Sequence, residues 1–371
     1  MADKQALQNK LDELQESYSK TKYNKATNKY LGILRSKMAK IRKTLAEKKS
    51  KHGTGFAVRK SGDATVVFVG FPNAGKSSLL KKLTGVDSKV ADYAFTTLDV
   101  IPGMLNLHGA NIQLLDLPGL IEGAHIGKGA GMMIASVIRI ADLIMFVVDA
   151  TSPAQVDAIM AELEGLNIKV NTERPKVLVE ERQSGGMDIE SNGHRIPDRK
   201  EVTAVLNEMG IFNAKVIFYS NIDTDGLIAL LIDNAVYVRG IVVLNKTDLM
   251  EKAKIEQLRR ELQARLKTQV VAVSAMKGTN MDDLKETIFD NLGIMKVYLK
   301  PKDGAADFSK PFILKKGGSV MDVAKGLHTK AAKNLKYAYI TGKSARFGNQ
   351  KVGGEHVLQD GDVVTLVYEK F

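Results

Sequence analysis

An α/β protein with a doubly wound, mostly parallel sheet is the fold class predicted for these 371 residues. Three observations carry the prediction. Apolar runs bounded by turn residues alternate with helical patterns over 61–164 and again over 241–292, as expected of strands buried on both faces and joined by crossover helices. The segment Gly70-Phe71-Pro72-Asn73-Ala74-Gly75-Lys76-Ser77 is a complete G-x-x-x-x-G-K-[ST] phosphate loop, set between an apolar run and a helix start at Ser78. Residues 293–371 then change to short strands around a single capped helix, so a further unit ends the sequence.

The elements follow in order. Residues 1–60 form a basic N-terminal segment. Leu7, Leu11, Leu14 and Tyr18 make one apolar helical stripe, and Leu34, Met38, Ile41 and Leu45 make another. Polar residues 19–28 separate them. A helical hairpin is expected, with lysines on its outer faces and a linker over 48–55. In the core, strands are expected at 64–70, 100–107, 111–116 and 143–149. They resume at 240–245 and 269–274, with helices near 251–267 and 279–291. The gap at 165–240 is too long for a structureless loop. It carries its own pattern, an inserted α/β subdomain. Strands at 176–180 and 187–190 flank Ser184-Gly185-Gly186, which predicts a hairpin. A capped helix over 198–209, a strand over 216–219 and a helix over 223–233 complete it. In 293–371, strands are expected at 294–299, 312–314, 337–340, around Val352 and at 363–368. Ser319 can cap a helix over 320–328, and Gln359-Asp360-Gly361-Asp362 signals a tight turn. This is the pattern of a β-grasp fold.

Composition narrows the functional classes. No apolar run approaches the ~20 residues of a membrane span. The Lys-rich start lacks an apolar signal core, so secretion is not expected. There is no cysteine to form a disulfide framework. A cytoplasmic monomer away from membranes is the expectation. The net charge of +12 is uneven: +11 over 1–60, −5 over 61–164, −2 over 165–240, +2 over 241–296 and +6 over 297–371. Basic ends on a neutral engine point to a polyanionic partner held by the flanks.

The motifs supply the chemistry. In the phosphate loop, Gly70, Pro72, Asn73, Ala74 and Gly75 shape a backbone whose N–H groups can wrap an anion. Lys76 can reach the β and γ phosphates, and Ser77, followed by Ser78 at the helix start, can bind Mg²⁺. Asp116 heads Asp116-Leu117-Pro118-Gly119 after an apolar strand. It can hold a Mg²⁺-bound water, while the Gly119 N–H can meet the γ phosphate. Asn245-Lys246-Thr247-Asp248 follows another buried strand. The Asp248 carboxylate can accept from the guanine ring N1–H and exocyclic amine, an arrangement adenine does not offer. Asn245 can tie this loop to the phosphate loop, and the Lys246 stem can lie over the base. A random N-K-x-D is expected in roughly one chain in twenty, so its weight comes from its order and its place at a strand's C-terminal end. Ser274-Ala275 ends a later strand and can support the base from behind.

Together these phrases resemble the Obg-like GTPases, and most closely their developmentally regulated GTP-binding (DRG) subfamily. The matching stretches are 70–78 (G-F-P-N-A-G-K-S-S), 93–103 (Y-A-F-T-T-L-D-V-I-P-G), 115–124 (L-D-L-P-G-L-I-E-G-A) and Asn245 to Asp248. The glycine-rich N-terminal domain of bacterial Obg is absent, as is the altered guanine motif of YchF-type ATPases. The resemblance covers the whole chain. It implies a basic helical segment (1–60), a GTPase domain (61–164 and 241–292), an inserted subdomain (165–240) and a C-terminal TGS domain (293–371). It implies GTP as substrate and Mg²⁺ as cofactor. Thr96 and Thr97 lie in the first switch; one of them should meet Mg²⁺ and the γ phosphate, and the spacing does not say which. Leu120 stands where many small GTPases carry a water-orienting Gln, so slow hydrolysis is expected. In related GTPases an Asn in P-N-x-G-K-S helps hold K⁺ between the phosphates. Asn73 therefore either binds K⁺ in catalysis or merely tolerates the loop backbone. Similar DRG proteins often carry Arg and Gln in the switch helix where this chain has Ala130-Gly131-Met132-Met133.

Two functions compete. One is a GTPase switch whose basic flanks dock on ribosomes or structured RNA, with a possible protein cofactor that stabilises or activates it. The other is a GTP-dependent protein-interaction module with little RNA contact.

Overall fold

A computed structural model of the chain describes residues 2–22, 27–50, 60–85, 101–117, 136–233, 235–328 and 332–369. In chain order its helices are α1 (Ala2–Lys20), α2 (Asn28–Ser50), α3 (Lys76–Thr84), α4 (Gln155–Gly165), α5 (Arg199–Glu208), α6 (Thr224–Ile232), α7 (Lys252–Leu266), α8 (Met281–Asn291) and α9 (Val320–Leu327). The strands are β1 (Ala64–Val69), β2 (Ile101–Leu107), β3 (Ala110–Asp116), β4 (Leu143–Asp149), β5 (Ile168–Val170), β6 (Val177–Glu181), β7 (Met187–Glu190), β8 (Ala214–Phe218), β9 (Val236–Asn245) and β10 (Val270–Ala272), then β11 (Ile294–Leu299), β12 (Phe312–Lys315), β13 (Leu335–Thr341), β14 (Gln350–Val352) and β15 (Val363–Tyr368). They group into two compact units. The described parts of 1–56 and 163–237 form the first, and those of 57–162 and 238–371 the second.

In the first unit, α1 and α2 pair through Leu11, Met38 and Ile41, with Leu7, Leu14 and Leu45 at the margin. α2 is also buried on a second side. Leu31 and Leu34 are almost fully covered, and Ala39 joins the apolar core of the insert. Lys10, Lys20, Lys22 and Lys29 are exposed, as expected of outward lysines, but Lys40 and Lys43 depart from that expectation and reach the insert. The Lys40 ammonium donates to the carbonyl of Glu208, the last residue of α5. Lys43 donates at 3.0 Å to the carbonyl of Ile232, the last residue of α6. Arg35 pairs with Asp225 at 2.8 Å. The last carbonyls of a helix have no intrahelical partner and carry the negative end of its dipole, so a lysine is well placed there. α2 also continues to Ser50, beyond the start of the linker expected at Lys48, because lysine and glutamate sustain a helix. Residues 51–55 of that linker lie outside the described residues.

The insert forms a three-stranded sheet in the order β6–β8–β7. β6 runs antiparallel to β8 and β7 parallel to it. The expected hairpin is therefore absent: β6 and β7 exist, but β8 lies between them. Gly185 and Gly186 still adopt positive φ. Their loop wraps the start of β8 instead of closing a turn. The Asn213 carbonyl accepts from the Arg182 N–H at 2.9 Å, its side-chain oxygen accepts from the Gly186 N–H at 2.8 Å, and the Gly186 carbonyl accepts from the Ala214 N–H at 3.1 Å.

The second unit is built on a sheet ordered β10–β9–β4–β1–β3–β2. The first five strands of that order are parallel, and β2 closes the edge antiparallel to β3. β1 is buried along its whole length, as a central strand covered on both faces must be. Such strands end together, so β1, β3, β4 and β9 bring their C-terminal residues to one edge. The β-grasp sheet, β12–β11–β15–β13–β14, follows. Helix α9 begins at a reciprocal Ser319–Asp322 capping box and sets Val320, Val323 and Ala324 against Met295, Val297, Ala338, Ile340 and Val364. The expected turn forms at 359–362, where the Asp362 N–H donates to the Gln359 carbonyl at 3.1 Å and Gly361 has φ 91°. Ile313 packs on the core of the parallel sheet, and Lys315 meets Asp142 at 3.1 Å.

Candidate functional site

The phosphate loop leaves β1 at Gly70 and enters α3 at Lys76. Two of its residues adopt left-handed backbone, Asn73 at φ 61° and Gly75 at φ 91°. Gly70 and Gly75 are required by space. A Cβ on Gly70 would lie 2.2 Å from the Val147 carbonyl oxygen, and one on Gly75 would lie 2.2 Å from the Asn245 side-chain nitrogen. Pro72, Asn73, Ser77 and Ser78 are exposed, while Ala74 is buried beneath the loop. Lys76 is 9 % exposed and its Nζ donates to the carbonyls of Gly70 and Phe71 at 2.9 and 3.1 Å. The ammonium therefore sits inside the loop's concave side, between its two ends.

Ser77 and Asp116 meet, although 39 residues separate them: the Ser77 Oγ donates to Asp116 Oδ2 at 2.6 Å. Asp116 is buried, and its other oxygen, Oδ1, has no hydrogen-bond partner among the described residues. A hydroxyl beside a carboxylate with one unsatisfied oxygen is a hard oxygen donor set. It fits Mg²⁺, which takes one or two protein carboxylates and completes its octahedron with water and phosphate oxygens.

Asn245 ends β9, opposite Asp149 at the end of β4. Its Nδ2 donates to the Ala74 carbonyl at 2.9 Å, and its Oδ1 accepts from the Ala275 N–H at 3.0 Å. One buried amide thus fastens the phosphate loop to the segment after β10. Asp248 accepts a hydrogen bond from Ser274 Oγ at 2.5 Å, and that same oxygen accepts from the Lys277 N–H at 3.1 Å. The Ser274 hydroxyl holds the Asp248 carboxyl below the usual carboxylate range, against the opposing pull of desolvation.

Sequence reasoning missed Asp149, which reads simply as the last residue of a strand. Its Oδ2 binds Lys246 Nζ at 2.7 Å, and its Oδ1 accepts from both the N–H and the hydroxyl of Thr151. Burial pushes the Asp149 carboxyl up, but Lys246 and Thr151 together bring it below its ordinary value. Lys246 is itself left-handed, at φ 62°. Asp149 therefore fixes the stem of a residue that could cover a base. A polar residue ending a strand that pairs with the Asn245 strand was the available signal. Thr96, Thr97, Pro118, Gly119, Leu120 and Ala130 to Met133 lie outside the described residues. A cleft of about 760 Å³ opens along the β10 edge between α7 and α8, and Thr247 and Asp248 are part of its lining. Both signs of charge line it, Lys252, Arg259 and Lys277 beside Glu256, Asp283 and Glu286.

Residues 65–182 match the family described as 50S ribosome-binding GTPase, 184–294 the C-terminal region of that domain, and 295–368 the TGS domain. The chain is 40 % identical to the GTP-binding protein MJ1326 of Methanocaldococcus jannaschii over all of its own length and 95 % of that protein's. It is 40 % identical to GTP-binding protein 1 of Schizosaccharomyces pombe, covering 96 % of this chain and 98 % of that one. Human developmentally-regulated GTP-binding protein 2 is 38 % identical, again over 96 % and 98 %. On this evidence the chain is a GTP-binding protein with a GTPase domain, and it belongs to the developmentally regulated GTP-binding subfamily of the Obg-like GTPases.

Proposed function

We propose that this protein hydrolyses GTP to GDP and phosphate as a slow switch and carries that signal to ribosomes or structured RNA. The observation that carries the reading is the Asn245 bridge between Ala74 and Ala275, which couples the phosphate loop to the base-reading loops. Asp248, held by Ser274, would read the guanine edge, with the Lys246 stem over the ring. Lys76 would turn from the Gly70 and Phe71 carbonyls to the β and γ phosphates. Ser77 and Asp116 would hold Mg²⁺, directly and through water. When bound, Mg²⁺ neutralises charge developing on the phosphate oxygens. Thr96, Thr97 and Gly119 would complete the γ-phosphate contacts. The protein would work in the cytoplasm as a monomer, with a possible protein cofactor. Among the described residues no helix is long and apolar enough to cross a membrane.

RNA association rests on the charge of the flanks, +11 over 1–60 and +6 over 297–371. One observation favours the alternative, a protein-interaction module: Arg35, Lys40 and Lys43 are engaged by the insert, so part of the hairpin's charge is structural.

Turnover should rise in K⁺ relative to Na⁺. Asn73 is exposed on the loop, where its amide oxygen could help hold a monovalent cation that offsets charge at the β–γ bridge. Phosphate release measured in matched KCl and NaCl, with Asn73→Ala alongside, tests this. Faster turnover in KCl that Asn73→Ala abolishes is the expected result. Equal rates in both salts, with Asn73→Ala neutral, would leave Asn73 as a residue chosen for its left-handed backbone. No GTP turnover in either salt would remove hydrolysis from the proposal.

A further inference from the structure

We propose that the outer face of the C-terminal sheet is a stacking platform for unpaired RNA bases; this deepens the RNA reading above and rests on it. Strand alternation divides the residues of this sheet between two faces. Met295, Val297, Ala338, Ile340 and Val364 turn inward beneath α9. Tyr298, Tyr337, Tyr339 and Lys351 occupy alternate positions and share the opposite face. The register sets them in rows. Tyr298 pairs with Val363, which also pairs with Thr341; Tyr339 lies between Thr365 and Lys351; Tyr337 lies beside Val367. Two aromatic pairs result. The Tyr337 and Tyr339 rings are 5.4 Å apart at 80°, and Tyr298 lies 4.9 Å from Phe308, which is 64 % exposed. Lys351 Nζ stands 4.1 Å from the centre of the Tyr337 ring.

Between the rings stand small β-branched residues: Thr341 is exposed and Val363 half-buried, while Thr365 is covered. Aromatic residues are common on strands simply because they pack across them. Here the face is accompanied by charge. Residues 297–371 carry a net +6, and Lys343 and Arg346 lie on the β13–β14 connection with Phe347, 65 % exposed. Aromatic faces interleaved with lysines suit a strand whose bases are splayed: the rings take the bases and the ammonium groups take the phosphates. Duplex RNA offers phosphates and 2′-hydroxyls but keeps its bases stacked on each other, so it would use the lysines and not the tyrosines. The hairpin is a weaker candidate for this role, because Lys40, Lys43 and Arg35 already have partners in the insert.

The test uses the full chain and compares a short single-stranded RNA with an RNA hairpin of equal phosphate count, each titrated at several salt concentrations. Tyr337→Leu and Tyr339→Leu keep an apolar side chain but remove the stacking ring. Each should weaken single-strand binding about tenfold, leave its salt slope unchanged and leave hairpin binding unchanged. Tyr337→Phe and Tyr339→Phe should bind like the parent. Lys351→Gln should flatten the single-strand salt slope by about 0.7. GTP affinity reports folding in every variant. Should the Leu variants fail to fold, photo-crosslinking of a thiouridine-containing strand to the parent decides, with adducts expected on Tyr337 or Tyr339. Parent-like single-strand affinity in folded Leu variants, or adducts confined elsewhere, would overturn the platform while RNA binding itself stands; the face would then be a protein dock or a plain surface. A parent that binds neither RNA overturns the platform and the RNA reading together.

Discussion

Asp248→Asn is expected to move nucleotide preference from GTP to XTP. The Asp248 carboxylate has its acceptor geometry set by Ser274 Oγ at 2.5 Å, and it is held in the anionic form. Its folded pKa is depressed, so the anion persists as pH falls to the usual carboxylate value and is lost only below that. Two guanine groups, the ring N1–H and the exocyclic amine, would donate to it. An amide offers one acceptor and one donor, and its donor would face the exocyclic amine. Xanthine replaces that amine with an oxygen, which can accept. Sites built around paired hydrogen bonds reject a mismatched ligand strongly, so GTP affinity should fall roughly hundredfold or more while XTP affinity rises. Displacement of a fluorescent GDP by GTP and XTP measures both. Unchanged preference would remove Asp248 from base reading.

Lys76→Ala should lower single-turnover GTP cleavage by roughly 10²–10³-fold, the loss typical of removing one preorganised charge stabiliser from a reacting centre. Lys76 is almost buried and lies within reach of two loop carbonyls, so its ammonium is already confined to the loop's interior. Ser77→Ala should also slow turnover, for a different reason. It would remove a ligand of the proposed Mg²⁺ site, and it leaves Asp116 with neither oxygen bonded to the loop. Raising Mg²⁺ should therefore restore part of the Ser77→Ala activity and none of that lost in Lys76→Ala. Identical magnesium responses would mean that Ser77 and Lys76 do not divide the work in this way.

Much of this was readable from the chain. β1 and β4 are runs of apolar residues because both faces are covered, and such runs announce buried parallel strands. The phosphate loop and N-K-x-D stand at strand ends, so the parallel order alone brings them together. What stayed hidden depends on non-local partners. The Ser-Gly-Gly turn signal between β6 and β7 is genuine locally, yet which strand fills the gap is decided by β8, more than twenty residues later. Lys40 and Lys43 look like solvated helix lysines until the ends of α5 and α6 arrive. Asp149 gains its meaning only from the β4–β9 register, which sets it beside Asn245 and within reach of Lys246. Local pattern reveals elements and loops, whereas long polar side chains find their partners in the packed fold.

The central claim is that the coupled loops around Asn245 and Asp248 make a guanine-specific nucleotide site. The most direct measurement is competition at equilibrium, with a fluorescent GDP bound to the parent protein in Mg²⁺ and displaced by GTP, GDP or ATP. The account predicts displacement by GTP and GDP and none by ATP over the same concentration range. Displacement by ATP and GTP with equal affinity would contradict it.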